Sequence, residues 1–186
     1  MPFTPKDIHS GDQAGGFSMK DAQATARAMV DIETAIDDLV EYTSERKIMF
    51  TDEGGYAIRL TNKTGATSVK GTLVTGHTSE DDSVMVAPID SKSAFGVMFE
   101  DGVADGELCW IVVSGIATVL LKDGTGTTAG NWVVVSDTAG RANATAVAPP
   151  GGELIDAAYH FGEIGHSIQT VTAGTDKTAR MVIHFN

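Results

Sequence analysis

The sequence predicts a mainly β protein, a small antiparallel β-barrel or sandwich preceded by one N-terminal α-helix. From residue 54 onward, short segments rich in Val, Ile and Thr alternate with Gly, Asp and Asn turns, and nothing there has the period of a long helix. Before that point, apolar residues recur in steps of three and four, which is the helical period. Closely spaced strands without intervening helices imply antiparallel pairing.

Three zones follow from this change of pattern. Residues 1–17 form a polar, Gly-containing arm without any period. Residues 18–48 form an amphipathic helix, in which Ser18 and Asp21 can satisfy the free N–H groups of the first turn. A break at Asp52-Glu53-Gly54-Gly55 then leads into a β-domain at 54–186.

The helix carries a seam of apolar or small residues spaced as in a heptad repeat, at Ala22, Thr25, Met29, Ile32, Ile36, Leu39 and Thr43. The four central residues, Met29, Ile32, Ile36 and Leu39, are the predicted interface with other copies or with a partner. Val30 and Val40 broaden the stripe, so the pattern fits a helix lying on the β-domain as well as a coiled coil.

The β-domain offers nine strand candidates: Tyr56–Thr61, Val69–Thr75, Ser83–Ala87, Phe95–Phe99, Leu108–Ser114, Ile116–Lys122, Asn131–Ser136, Tyr159–Ile168 and Ala179–Phe185. Gly115 interrupts the apolar run 108–121, which is long for one strand, and we expect a bend or bulge there. Residues 138–152 are rich in Ala, Gly and Pro and predict an irregular excursion.

Composition narrows the classes of function. The 25 acidic and 13 basic residues give a formal charge of −12 without a Lys/Arg cluster, which disfavours nucleic-acid binding. No apolar run approaches the roughly 20 residues that span a bilayer, and the first residues do not resemble a secretion signal, so we expect neither membrane insertion nor export. The single cysteine, Cys109, lies in an apolar run and is predicted to be a buried, inert thiol.

One group of residues has the chemistry of a metal site: His160, Glu163, His166 and His184. Its spacing does not fit a helical zinc motif, and on a regular strand His160 and His166 share a face while Glu163 points the other way. We therefore predict structural or surface histidines and no metal. The alternative is a histidine that binds a metal between subunits near a threefold axis.

No group of residues predicts catalysis or a cofactor. The glycine-rich segment 124–130 lacks the Lys-Ser/Thr ending of a phosphate loop and leads into a strand, so it predicts a hairpin loop. The carboxylates of Asp-Gly turns are scattered, and Ser114 lacks the flanking glycine of a nucleophile elbow. A trimeric β-barrel hydrolase of the nucleotide-pyrophosphatase type would need an Asp and Tyr pocket with a phosphate-binding glycine motif, which the sequence does not show.

The order of turn and strand segments in the β-domain is more informative than any one of them. The segments are Asn62-Lys63-Thr64-Gly65, Val69-Lys70-Gly71-Thr72-Leu73-Val74, Phe95-Gly96-Val97, Asp101-Gly102-Val103-Ala104-Asp105-Gly106, Trp110-Ile111-Val112-Val113-Ser114-Gly115-Ile116-Ala117, Gly130-Asn131-Trp132-Val133-Val134-Val135-Ser136-Asp137, Glu163-Ile164-Gly165-His166-Ser167-Ile168 and Met181-Val182-Ile183-His184-Phe185-Asn186. Over residues 56–186 this order resembles the capsid decoration (cement) and related head structural proteins of tailed bacteriophages. The helix at 18–48 is not part of the shared pattern.

The resemblance implies a small β-barrel, often trimeric, that binds the capsid exterior and stiffens the head without catalysis. Its implied partners are further copies of the chain, as a homotrimer, and the major capsid protein, and it would be made in the host cytoplasm. The runner-up is a trimeric head fibre or adhesin-like appendage that binds a cell-surface glycan.

Overall fold

The structure, a computed structural model, describes residues 19–44, 47–146 and 162–185. Within the helix it describes the side chains of residue 20 and of residues 22–35. The chain divides into two compact units, Met1–Arg46 and Lys47–Asn186. The predicted arm at 1–17 lies outside the described residues.

The first unit contains helix α1, Met19–Ser44, which has 26 residues. It begins beside the predicted Ser-x-x-Asp start and ends before the basic pair Arg46-Lys47. Every helical side chain that the structure describes is exposed. Within the described ranges, no helix combines the length and the apolarity needed to cross a bilayer.

The second unit is built from strands joined by short turns. In chain order they are β1 (Ile48–Phe50), β2 (Gly55–Asn62), β3 (Leu73–Gly76), β4 (Ser83–Val86), β5 (Gly96–Met98), β6 (Leu108–Leu120), β7 (Thr125–Thr127), β8 (Trp132–Val135), β9 (Ala142–Thr145), β10 (Glu163–Ser167), β11 (Val171–Gly174) and β12 (Thr178–His184).

Five strands close into a ring through their hydrogen-bonded pairings, in the order β2-β4-β3-β5-β6 and back to β2. Strands β3, β4, β5 and β6 each direct buried side chains into one cluster: Val74, Val84, Met98, Cys109 and Ile111. A closed ring satisfies the backbone groups of every member and leaves no free edge between them.

A second set of strands continues from the same long strand, in the order β6-β12-β10-β8-β9. A parallel bridge between Leu121 and Ala142 joins its two ends, and Lys122 N donates a hydrogen bond to Ala142 O at 2.8 Å. The larger core cluster contains buried residues of both strand sets, with Met181 and Ile183 of β12 among its fully buried members. The alternating burial along β12 shows that one face is directed to this core and the other to solvent.

Strand β6 belongs to both sets, and Gly115 marks the change from one to the other. Up to Val112, β6 pairs with β2 and β5; from Ser114 to Leu120 it pairs along its length with β12. At the change, the register with β2 shifts by one residue between Tyr56 and Ala57, and Gly115 has a φ of 86°. The bulge lets residues on both sides of it direct alternate side chains to a core.

The predicted fold class, mainly β with one helix before it, is confirmed. The two strands predicted on either side of Gly115 are one strand, because the bulge bends β6 without breaking its pairing with β2. The all-antiparallel expectation was wrong at one short pairing, since β2 and β4 run parallel at Thr61 and Asn62. The segment predicted to be irregular contains β9, and β1, β7 and β11 were not predicted.

Asn62 explains why the turn Asn62-Lys63-Thr64-Gly65 takes the form it does. Its side chain is fully buried, and Nδ2 lies 3.0 Å from the carbonyl oxygens of both Ala66 and Val103. Oδ1 accepts hydrogen bonds from N and Oγ1 of Thr64, at 3.1 and 2.8 Å. The side-chain amide of Asn62 therefore joins two turns by hydrogen bonds. The sequence of this turn is explained by the need to satisfy buried polar groups in the five-stranded ring.

We predict that Gly115→Ala lowers the free energy of unfolding by about 1–3 kcal/mol more than Gly102→Ala does. Both glycines have positive φ, but a Cβ at Gly115 would lie 2.7 Å from Gly54 O, whereas a Cβ at Gly102 would meet nothing within 4 Å. Urea unfolding of the two variants measures the difference. Equal losses would show that β6 does not need the close approach at the bulge.

Candidate functional site

Three of the four residues of the predicted histidine cluster lie together on the outer face of two paired strands. Glu163 and His166 belong to β10, and His184 belongs to β12. Glu163 Oε1 lies 3.4 Å from His184 Nε2 and 3.9 Å from His166 Nδ1, and the two histidine nitrogens lie 3.4 Å apart. His160 lies outside the described residues.

A β-bulge brings Glu163 to this face. Glu163 pairs with Val134 and His166 pairs with Trp132, but Ile164 and Gly165 together oppose the single residue Val133. The extra residue shifts the alternation by one position, so Glu163 and His166 share a face although they are three residues apart. The expectation that Glu163 points the other way was wrong, because it assumed a regular strand.

Gly165 makes this bulge possible. Its φ is 144°, a region that side chains other than glycine rarely adopt, and a Cβ there would overlap the carbonyl oxygen of Val182. Gly165 therefore lets β12 lie close against the bulge. The turn-and-strand segment at residues 163–168 contains this glycine, but the segment did not predict a role for it in the site.

The three side chains of the cluster differ in their exposure to solvent. The Glu163 side chain is only 3% exposed, whereas those of His166 and His184 are 38% and 45% exposed. The Trp132 ring packs on the His166 ring with 4.4 Å between centroids. A buried carboxylate thus lies beneath two imidazoles that face solvent, and Trp132, which the sequence offered only as a strand residue, orients one of them.

A cleft of about 700 Å³ lies elsewhere on the β-domain, and Lys70 and Arg141 are the two basic residues that line it. Arg141 donates hydrogen bonds to Asp123 and Asp176 at 2.8 and 2.6 Å, and Lys70 bonds Glu53 at 2.6 Å. Both cations are therefore engaged within the fold, and the cleft is a weak candidate for an anion site.

Glu53 is itself a structural anchor beside this cleft. It accepts hydrogen bonds from Lys70 Nζ and from N and Oγ1 of Thr118. Partial burial acts to raise the pKa of the Glu53 carboxyl, but the hydrogen bonds from Lys70 and Thr118 outweigh it and hold the pKa below its usual value. The ionised carboxylate thus joins the segment before β2 to the second half of β6.

Three of the scattered carboxylates accept hydrogen bonds from backbone N–H groups. Asp101 Oδ1 accepts from Lys70 N at 2.5 Å, Asp105 Oδ1 accepts from Gly65 N at 2.8 Å, and Glu100 Oε2 accepts from Trp110 N at 3.1 Å. These groups fix loops of the first ring.

The remaining sequence candidates have structural surroundings. Cys109 is fully buried, as predicted, and burial, with a smaller contribution from Glu100, raises the pKa of its thiol to about 11. The glycine-rich segment includes β7, which pairs with β11, and a Cβ at Gly126 would overlap the carbonyl oxygen of Val171. Gly126 therefore allows β7 to pack closely against β11.

The predicted association seam is described in part. The side chains of Met29 and Ile32 are exposed, at 62% and 58%, and Val30 beside them is 59% exposed. Ile36 and Leu39 lie within α1, but their side chains are outside the described residues. The described part of the helix therefore presents adjacent apolar side chains to solvent in the single chain.

The chain has little similarity to known proteins. No protein-family model matches the chain, and no curated protein matches it. Among solved structures, the chain is similar to the N base of head fibre gp8.5 of bacteriophage phi29, with 14% identity over 69% of this chain and 92% of that one, and a TM-score of 0.42.

We predict that Glu53→Gln lowers the free energy of unfolding by about 1–2 kcal/mol at pH 7, because three hydrogen bonds lose their charged acceptor. The folded-state pKa of Glu53 is depressed, so its stabilising contribution is complete above the unfolded-state pKa and is lost as pH falls through the folded-state value. The difference from wild type should therefore shrink below about pH 4.

Glu107→Gln, which alters an exposed carboxylate in a turn, is the matched control for this experiment. Urea unfolding between pH 3 and pH 7 gives the comparison. A Glu53→Gln deficit that stays constant across this range would contradict the assigned role of the charge.

Proposed function

We propose that this chain is a non-enzymatic virion structural protein, a capsid decoration (cement) protein that binds the outer capsid surface as a homotrimer and stabilises the head. The observation that carries the proposal is the exposure of the apolar side chains of Met29, Val30 and Ile32 on the helix that precedes the ring-closed β-domain in the chain. Such a chain can combine a preformed body with a surface for association.

The helix supports the trimeric part of the proposal. A helix gains most of its stability from packing of its apolar face. Met29 and Ile32, which lie three residues apart in the heptad-spaced seam, are largely exposed. Further copies of the same chain are the partners that best fit the heptad-spaced seam, because identical helices have the same spacing of apolar residues. The resemblance of residues 56–186 to trimeric decoration proteins implies the same state.

The β-domain supports the structural role. Its two strand sets share β6, and its turns are fixed by the side chains of Asn62, Asp101 and Asp105. A domain whose turns are held by buried or capped hydrogen bonds resists deformation, which suits a clamp between neighbouring capsid subunits. The major capsid protein is the proposed partner, and several weak contacts from one trimer would add through high effective concentration.

The charge supports an external position. With 25 acidic and 13 basic residues, the chain carries a formal charge of −12, which repels packaged nucleic acid.

We predict that Met29→Asp with Ile32→Asp dissociates the trimer, because each buried charge in the seam costs several kcal/mol. Ala24→Asp with Thr34→Asp is the matched control, since it adds the same charge on the opposite side of the helix. Sedimentation equilibrium should give a trimer for wild type and control and a monomer for the seam variant. A trimer in all three would show that the seam does not hold the copies together.

We predict that capsids lacking this protein rupture at lower temperature than decorated capsids, and that adding the purified protein restores their stability. Bound protein stabilises only the state that it binds. The dissociated seam variant should bind more weakly than the control, because it loses threefold avidity. Capsids equally robust with and without the protein would reject cementing, and binding of the protein to host cells in that case would favour the fibre alternative.

A further inference from the structure

We propose that Glu163, His166 and His184 bind one divalent transition-metal ion of the class that prefers imidazole ligands, with zinc as its representative. The proposal is independent of the capsid role. It starts from three donor atoms, Glu163 Oε1, His166 Nδ1 and His184 Nε2, which converge from two adjacent strands.

The distances between these atoms fit an ion better than they fit hydrogen bonds. Strong hydrogen bonds between charged groups have donor–acceptor distances of about 2.7–2.9 Å. The three separations here are 3.4, 3.4 and 3.9 Å, at or beyond the limit of a hydrogen bond. The side chains are thus close to one another without forming a tightly bonded network among themselves.

A tetrahedral ion explains the same separations. With metal–ligand distances of about 2.0–2.1 Å, tetrahedral ligands lie about 3.3–3.4 Å apart. Three donors separated as these are lie on a circle with a radius of about 2.1 Å, so an ion in their plane is within coordination distance of all three, and a tetrahedral ion lies just above that plane. Two separations already match the ideal, and the third, between Glu163 and His166, has to shorten by about 0.5 Å.

The donor set selects the kind of ion. Two imidazole nitrogens and one carboxylate oxygen suit zinc and neighbouring first-row metals, whereas calcium and magnesium prefer oxygen alone. Because both imidazoles are substantially exposed, the fourth coordination position faces solvent and is filled by water or by a group from another molecule.

The backbone holds the three ligands in place before any ion binds. Strands β10 and β12 are paired in register from Gly165 with Ile183 to Ser167 with Met181. The bulge at Gly165 turns Glu163 toward the histidines, and Trp132 packs on His166. Ligand side chains on paired strands lose little conformational freedom when the ion binds, so little of the binding free energy is needed to order the site.

Zinc titration of the full-length protein, stripped with a chelator and dialysed, tests the site by isothermal calorimetry. We expect one zinc ion per chain in wild type, and an affinity reduced about a hundredfold or more in His166→Ala and His184→Ala, beyond the 10–100-fold cost of losing an outer-shell partner. His77→Ala is the matched control, because His77 is also a surface histidine but lies outside the cluster, and it should bind as wild type does.

Two further readouts distinguish this site from adventitious binding. Cobalt or nickel should quench Trp132 fluorescence through the adjacent His166 ring, and zinc should raise the melting temperature of wild type and His77→Ala only. Because His166 and His184 are partly exposed, their variants should fold, which circular dichroism checks. Zinc bound equally by the His166→Ala/His184→Ala double variant, or no zinc bound by wild type, would overturn the proposal.

Discussion

A strand can hydrogen-bond to only one neighbour on each side, yet β6 has to serve two closed sets of strands. It does so by exchanging partners along its length, with β5 beside its first half and β12 beside its second half. The exchange depends on the bulge at Val113, the residue of β6 that has no partner in the register with β2, and on Gly115, where β6 approaches Gly54 and Gly55 closely. Both cores draw side chains from this strand, so neither set of strands can keep its packing if β6 is displaced.

The sequence predicts well those strands whose formation depends mainly on neighbouring residues in the chain. Strands rich in Val and Ile, such as β4, β6 and β8, were found because alternation and turn chemistry identify them locally. The missed strands have only three or four residues each, too few for alternation to identify, for example Ala142–Thr145 and Thr125–Thr127. They exist because a partner strand supplies hydrogen bonds, which a local pattern does not contain.

The candidate site shows the same limit at a finer scale. His166 and His184 were identified by residue type, and their proximity follows from the pairing of β10 with β12. The position of Glu163 could not be derived, because one extra residue in a bulge reverses the face of every residue before it. Glycine at position 165 was the available signal, since an isolated glycine within a strand pattern often marks a bulge.

Ring closure also bears on how crowded copies of this chain behave. Unpaired strand edges act as templates for fibril growth, and the hazard rises with local concentration. Here the rings leave few long edges in the described β-domain, and the outer strand Ile48–Phe50 has only three residues despite its exposed Phe50. For a protein that works as many neighbouring copies, as we propose, this architecture permits dense arrays while discouraging strand-to-strand aggregation.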